Sequence, residues 1–251
     1  MSSDVVSGEP VWIILDVEGT VVPTEYVHAT LFDHARAGLA GWITRNLDTP
    51  AGRDALAAVR RAAGLADSAG PDEIMTVLLA WIDQDRKEPA LKVLQGHVWQ
   101  EGYASGELRT PLFPDVIRAL RRWRAAGHRL GIFSSGSVAA QRAVLSRTDA
   151  GDLRDHFAVH FDPLGVGAKR EPDAYRAMRA RLTPAGRAGD GGADGAPPPV
   201  FLSDVPAELD AAVAAGWRAV GVARPGEPYG NADFGPHQVV RGFDDIDGVR
   251  R

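Results

Sequence analysis

The chain has 251 residues, of which 45% are hydrophobic and 24% charged, an ordinary globular balance that excludes a disordered or collagen-like polymer. It contains no cysteine and carries a net charge of −5, which removes disulfides, thiolate metal sites and a cysteine nucleophile and disfavours a broad nucleic-acid footprint. No run approaches the ~18 apolar residues of a membrane span, and Met1-Ser2-Ser3-Asp4 lacks the basic start and apolar stretch of a secretory signal, so a cytoplasmic protein with no membrane partner is expected.

Residues 1–10 are polar with Gly and Pro and predict a short disordered tail. Val11-Trp12-Ile13-Ile14-Leu15 is apolar without alternation and stops at Asp16, the signature of a parallel strand buried on both faces. From about Thr24 to Leu108 the pattern changes. Leu31, Ala35, Leu39, Trp42 and Ile43, then Ile74, Val77, Leu78, Trp81 and Ile82, recur at helical spacing. They predict a helical domain over 24–108 inserted into a core formed by 11–23 and 109–251. A helix is expected over 115–126, with Arg118, Arg121, Arg122 and Arg124 as a solvated face. Leu130-Gly131-Ile132-Phe133 is a second strand that ends at Ser134-Ser135-Gly136, and a helix is expected over 138–146. Another helix is expected over 171–182. Residues 183–199 are too rich in Gly and Pro for a packed element and predict a flexible loop. Val200-Phe201-Leu202 is a third strand ending at Ser203-Asp204, followed by a helix over 206–215 and a fourth strand from Trp217 to Ala223. This alternation predicts an α/β fold, a doubly wound, Rossmann-like parallel sheet with a helical insertion, whose ligand lies at the carboxyl edge of the strands.

Several chemically capable residues fall on that edge. Asp16 and Glu18 follow the first strand, and Gly19 lets the chain turn at once. Ser134 ends the second, with Ser135 and Gly136 leading into a helix N-terminus, a natural seat for phosphate. Lys169, one of few lysines in an arginine-rich chain, precedes a helix and supplies positive charge. Asp204 ends the third strand, placed to hold a hard cation with Asp16; such a carboxylate set suits Mg²⁺. A carboxylate nucleophile, a second carboxylate for acid/base work, a hydroxyl, a lysine and a metal-binding Asp describe phosphoryl transfer through an aspartyl-phosphate.

In this order the residues resemble the Asp, Ser/Thr, Lys and Asp motifs of the haloacid dehalogenase (HAD) superfamily. Within it the chain is most similar to the enolase-phosphatase, or acireductone synthase, family of methionine salvage. The carriers are Asp16-Val17-Glu18-Gly19-Thr20, Leu94-Gln95-Gly96-His97-Val98-Trp99, Glu101-Gly102-Tyr103, Gly106-Glu107-Leu108, Phe113-Pro114-Asp115-Val116, Ser134-Ser135-Gly136-Ser137, Ala168-Lys169-Arg170-Glu171, Leu202-Ser203-Asp204-Val205 and Arg224-Pro225-Gly226.

The resemblance implies Asp16 as nucleophile and Mg²⁺ ligand, and Glu18 as metal ligand and general acid/base. Ser134, Ser135 and Gly136 would bind phosphate or substrate, Lys169 would neutralise phosphate and orient Asp16, and Asp204 would complete the metal site. The implied reaction is enolisation of 2,3-diketo-5-methylthiopentyl-1-phosphate, a small phosphorylated diketone, and hydrolysis to the acireductone by a monomeric enzyme, with the inserted helices as a cap. The alternatives are a phosphatase of the same architecture for another small phosphorylated ketone or sugar, and a silent phosphometabolite-binding protein. The chain departs from the family pattern at Val21-Val22, where hydroxyls are usual, and at His28, where lysine is usual; Tyr26 replaces Phe. These changes are expected at the cap entrance. Trp42, Trp81, Trp99 and Trp123 read as packing residues, His97, His128, His156, His160 and His237 as ordinary ones, and Tyr103 as a candidate for the pocket between cap and core.

Overall fold

The computed structural model describes residues 10–84, 86, 88–182 and 197–246. The tail expected over 1–10 and the loop expected over 183–199 lie outside these residues, apart from Pro10 and 197–199.

Strands β1 (Trp12–Leu15), β2 (Arg129–Phe133), β3 (Val159–Phe161), β4 (Val200–Ser203), β5 (Arg218–Val222) and β6 (Gln238–Val240) form one sheet in the order β3-β2-β1-β4-β5-β6. All neighbours run parallel. From Tyr26 to Ser105 the described chain is helical apart from short connections. A π-helical turn (Tyr26–Leu31) runs into α1 (Phe32–Asn46), followed by α2 (Pro50–Ala63), α3 (Pro71–Asp83) and α4 (Pro89–Ser105). Around the sheet lie α5 (Val116–Ala125), α6 (Val138–Ser146), the single turn α7 (Pro163–Val166), α8 (Pro172–Leu182) and α9 (Pro206–Ala214). Among the described residues no helix is long and apolar enough to cross a membrane.

The uninterrupted apolar run of β1 is explained by burial on both faces. Ile13 and Leu15 pack with Val116, Leu120 and Val144 of α5 and α6, whereas Ile14 points the other way into Tyr175, Met178 and Leu209 of α8 and α9. Two strands, β3 and β6, were not expected. Each is a three-residue edge strand mixing polar and apolar positions, too short to leave a periodic trace. The helical segment has an apolar centre of its own, including Leu39, Trp42, Leu56, Ile74, Trp81 and Leu94. Pro50, Pro71 and Pro89 open three of its helices, where a missing N–H costs nothing.

The register matters most for function. Leu15 pairs with both Ile132 and Leu202, so β2, β1 and β4 end almost level. Asp16, Ser134 and Asp204 therefore leave three adjacent strands at one edge. After β1 the chain builds outward through β2 and β3, then crosses back to lay β4 on the other side of β1. Asp16 and Asp204 flank this reversal, where open α/β sheets open a crevice.

A directed chain of hydroxyls joins both ends of the helical segment to the core. Thr110 Oγ1 donates to the Val144 carbonyl at 2.8 Å. Its one proton being used, it accepts from Tyr103 Oη at 2.7 Å, which in turn accepts from Tyr26 Oη at 2.9 Å. Tyr103 is thus buried where the helical segment meets the core rather than in the pocket expected for it, and burial pushes its phenol far up.

Candidate active site

Beyond β1 the chain makes one tight turn. Val21 and Val22 both donate backbone N–H to the Val17 carbonyl, at 2.8 and 2.9 Å, and Gly19 donates to Val22. Gly19 has φ +71°, and a Cβ there would lie 2.3 Å from Asp204 Oδ2. Both the left-handed backbone and the close approach of the carboxylate require glycine. The turn sends Val21 and Val22 inward, where both are fully buried in the core. The expectation that they alter the cap entrance is therefore corrected: they are packing residues that do not reach the cavity.

Thr20 fastens this turn to the rest of the edge. Its Oγ1 accepts the Asp204 N–H at 3.1 Å, and its carbonyl accepts from Arg224 Nε at 2.8 Å. Arg224 is buried against Asp115, with Nη1 at 2.9 and 3.1 Å from the two carboxylate oxygens, and lies over the Phe113 ring. The Phe113-Pro114-Asp115 and Arg224-Pro225-Gly226 segments thus meet as one buried ion pair beneath the turn.

Lys169 Nζ lies 2.6 Å from Asp16 Oδ1 and 2.7 Å from Glu208 Oε2, all three residues buried. Tyr175 Oη donates to the Lys169 carbonyl, and the Phe133 and Phe201 rings flank the ammonium at 5.8 and 6.0 Å. Burial alone would lower the lysine's pKa; Asp16 and Glu208 more than offset it and hold it above its ordinary value. Glu208 was not anticipated. It sits on the first turn of α9, four residues after Asp204, and accepts from Ser203 Oγ at 2.8 Å. That spacing was the available signal.

Three carboxylates, Asp16, Asp204 and Glu208, share this one buried ammonium. Burial first and the Asp16 charge second push Asp204 up to about 8, and its Oδ1 is buried without a hydrogen-bond partner. An orphaned carboxylate oxygen facing a second carboxylate fits a hard divalent cation that retains several waters. Among the described residues no three His, Cys, Asp or Glu side chains converge as a metal cluster. Glu18, expected in that set, instead brings Oε1 to 2.7 Å from His28 Nε2 on the π-helical turn. Burial raises the Glu18 pKa and the histidine pulls against it. Asp16 and Asp204 are the pair this geometry offers a cation, and Glu18 lines the same cavity.

A pH dependence follows for the protein stripped of metal. Asp204 keeps its proton in the folded state up to about 8, against an ordinary value of 3.8. Its contribution to stability is full below the lower value and falls as pH rises between the two. Without metal, the wild-type Tm is expected to fall relative to Asp204→Asn between pH 5 and pH 8.5. A constant difference would exclude the buried, protonated carboxylate.

Ser134 is half-buried and Ser135 exposed, and both line the cavity with Gly136. Ser134 Oγ accepts the Gly136 N–H at 3.3 Å, which leaves its own proton for a ligand. The helix N-terminus behind them is already occupied. The Val138 N–H is taken by the Asp162 carboxylate and the Ala140 N–H by Ser137 Oγ. The serines and the loop, rather than the first turn of α6, are what an anion would meet.

Asp16, Glu18, Ser134, Ser135, Lys169, Asp204 and Glu208 open into one cavity of about 610 Å³, within the ~300–1,000 Å³ of small-molecule sites. Its floor is Asp16, Lys169 and Asp204; the helical segment adds the apolar Phe32, Trp81, Leu91 and Trp99 together with the polar Arg86, Lys92 and Gln95. Trp81 and Trp99 are therefore cavity residues as well as packing residues, and Trp99 Nε1 is held by the Leu31 carbonyl at 2.6 Å. His28 also lines the cavity.

Residues 12–216 match the haloacid dehalogenase-like hydrolase family. The chain is 52% identical over 239 residues to enolase-phosphatase E1 of Saccharopolyspora erythraea, covering 94% of this chain and 95% of that protein. It is 47% identical to enolase-phosphatase E1 of Frankia alni, covering 92% of each. The solved structure of the UTR4 protein of Saccharomyces cerevisiae superposes with a TM-score of 0.70 at 28% identity, covering 94% of this chain and 99% of that one. With a parallel sheet that gathers Asp16, Ser134, Lys169 and Asp204 at one edge, the chain belongs to the haloacid dehalogenase-like hydrolases and, within them, to the enolase-phosphatase E1 family.

Proposed function

We propose that this chain is the Mg²⁺-dependent enolase-phosphatase of methionine salvage, converting 2,3-diketo-5-methylthiopentyl-1-phosphate to the acireductone and phosphate, as a cytoplasmic monomer. The observation that carries it is one cavity that joins buried phosphoryl-transfer groups to an apolar patch of Phe32, Trp81, Leu91 and Trp99, matching a substrate that is phosphate at one end and thioether at the other. Helices from the 24–108 segment supply the apolar patch, which supports their role as a cap that excludes water.

Asp16 and Asp204 would hold Mg²⁺, which supplies a positive charge against which carbonyl and phosphoryl oxygens develop negative charge. Glu18 takes the proton from C1, next to the C2 carbonyl, and the C2 oxygen takes a proton from solvent water to give the enol, which leaves Glu18 protonated. The free carboxylate oxygen of Asp16 then attacks phosphorus while the P–O bond to C1 breaks, and Glu18 returns a proton to the leaving oxygen. Water, deprotonated by Glu18, attacks the aspartyl-phosphate and releases phosphate. Lys169 holds Asp16 in line and offsets phosphate charge, Glu208 holds Lys169, and Ser134 and Ser135 donate to the phosphoryl oxygens.

The burial of Val21 and Val22 removes most of the ground for a different substrate, leaving His28. The test follows enediol absorbance and phosphate release together on purified protein with Mg²⁺ and the diketo phosphate. Both are expected to rise and to vanish with EDTA. Cleavage of an aryl phosphate with neither signal from the diketone would assign the machinery to another phosphorylated ketone or sugar.

A further inference from the structure

The loop that carries Ser134 and Ser135 is held by a side chain that the chemistry above does not use. Gln141 of α6 is 3% exposed and borders the cavity. Its Nε2 donates to the Gly136 carbonyl at 2.8 Å and to the Phe161 carbonyl at 2.7 Å. Both amide hydrogens are then used, so Oε1 acts as an acceptor, and it lies 3.1 Å from His160 Nδ1. This contact selects the Nδ1–H tautomer of His160. The other ring nitrogen is buried without a partner, and burial lowers the imidazole to about 4, so the ring stays neutral and offers Gln141 its single proton.

The consequences fall on the loop. The Phe161 carbonyl also accepts the Ser134 N–H, at 3.3 Å, so Gln141 ties the start of the loop to the end of β3. The Gly136 carbonyl shares a planar trans peptide with the Ser137 N–H, so fixing one on Gln141 fixes the other on the opposite side of the chain. Gly136 has no side chain to select that orientation by itself. An anion is bound by N–H and O–H groups and repelled by a carbonyl oxygen turned toward it.

We propose, on the phosphatase reading above, that Gln141 is the positioning residue of the phosphate loop: it keeps the Gly136 carbonyl turned into the protein so that the loop meets phosphate with donors. It touches no reacting atom and acts through the Gly136–Ser137 peptide. The test is calorimetric titration of inorganic phosphate, with Mg²⁺ present, into the wild-type protein, Gln141→Leu and Gln141→Glu, with steady-state kinetics and thermal melts on each.

Gln141→Leu removes both donors at similar volume and is expected to weaken phosphate binding about tenfold, the equivalent of one to two hydrogen bonds. KM is expected to rise in step, while kcat changes by less than about threefold because Asp16 and Lys169 are untouched. Gln141→Glu keeps the acceptor for His160, replaces both donors with an anion, and is expected to bind phosphate more weakly still. If the leucine variant melts early, the isosteric glutamate variant decides the matter. A folded variant that binds phosphate as tightly as the wild type overturns the role of Gln141 and leaves the phosphatase reading intact. A wild-type protein that binds no phosphate overturns both.

Discussion

Asp16→Asn is expected to lower phosphate release by about four orders of magnitude or more, the scale on which removal of a catalytic nucleophile acts, without unfolding the protein. The amide is isosteric but offers no anionic oxygen to attack phosphorus. Lys169 keeps its second partner, Glu208, at 2.7 Å, so the buried ammonium is not orphaned. The substitution also removes one of three carboxylates crowded around that ammonium, and the Asp16 charge is one of the causes holding the Asp204 and Glu208 pKa values high. The metal-free variant is therefore expected to melt no lower than the wild type. The two half-reactions separate as well. Proton transfer from C1 is assigned to Glu18, a separate carboxylate paired with His28, so enolised phosphate is expected to form slowly and accumulate while free phosphate does not appear. Following both signals in one cuvette checks this. Phosphate release above about one per cent of the wild-type rate would remove Asp16 from the nucleophile role, because no neighbouring group supplies that attack.

The parts of this site that were legible in the sequence are those whose physics is local. The central strands are buried on both faces, so they appear as unbroken apolar runs, and Asp16, Ser134 and Asp204 stand out as the first polar residues past each run. The invisible parts depend on long-range contact. Asp115 and Arg224 are 109 residues apart, and each alone reads as a surface charge; only the fold buries them together under Thr20. Glu208 lies on the first turn of a helix, where an acid is expected merely for its effect on the helix dipole, and that ordinary explanation concealed its contact with Lys169. His28 meets Glu18 through a π-helical turn whose spacing no α-helical or strand period forecasts. Val21 and Val22 show the opposite error. Their position beside the nucleophile suggested contact with substrate, but a turn closed on the Val17 carbonyl points both into the core.

Lys169→Met is expected to be the most destabilising single change at the site. The lysine is fully buried between two carboxylates at 2.6 and 2.7 Å, with Asp204 close enough to feel the same charge. Methionine matches the volume of the stem between the Phe133 and Phe201 rings, so packing is largely kept and the loss is electrostatic. Removing one partner from a buried ion pair leaves an uncompensated charge and costs about 3–5 kcal/mol, which for a chain of this size lowers Tm by roughly 10 °C. Activity is expected to fall by a factor of about 10³ or more, since Asp16 loses its orientation and the phosphate its counter-charge. Two controls separate charge from packing. Acidification protonates the stranded carboxylates, so the Tm deficit of the metal-free variant is expected to shrink from pH 8 to pH 5. Saturating Mg²⁺ supplies positive charge to the same carboxylates and is expected to recover part of the deficit at pH 8 without recovering activity, because a cation held by Asp16 and Asp204 cannot replace the hydrogen bond that aims Asp16. A deficit that ignores both pH and Mg²⁺ would mean that Lys169 is a packing residue, and the shared-ammonium account of this site would then be wrong.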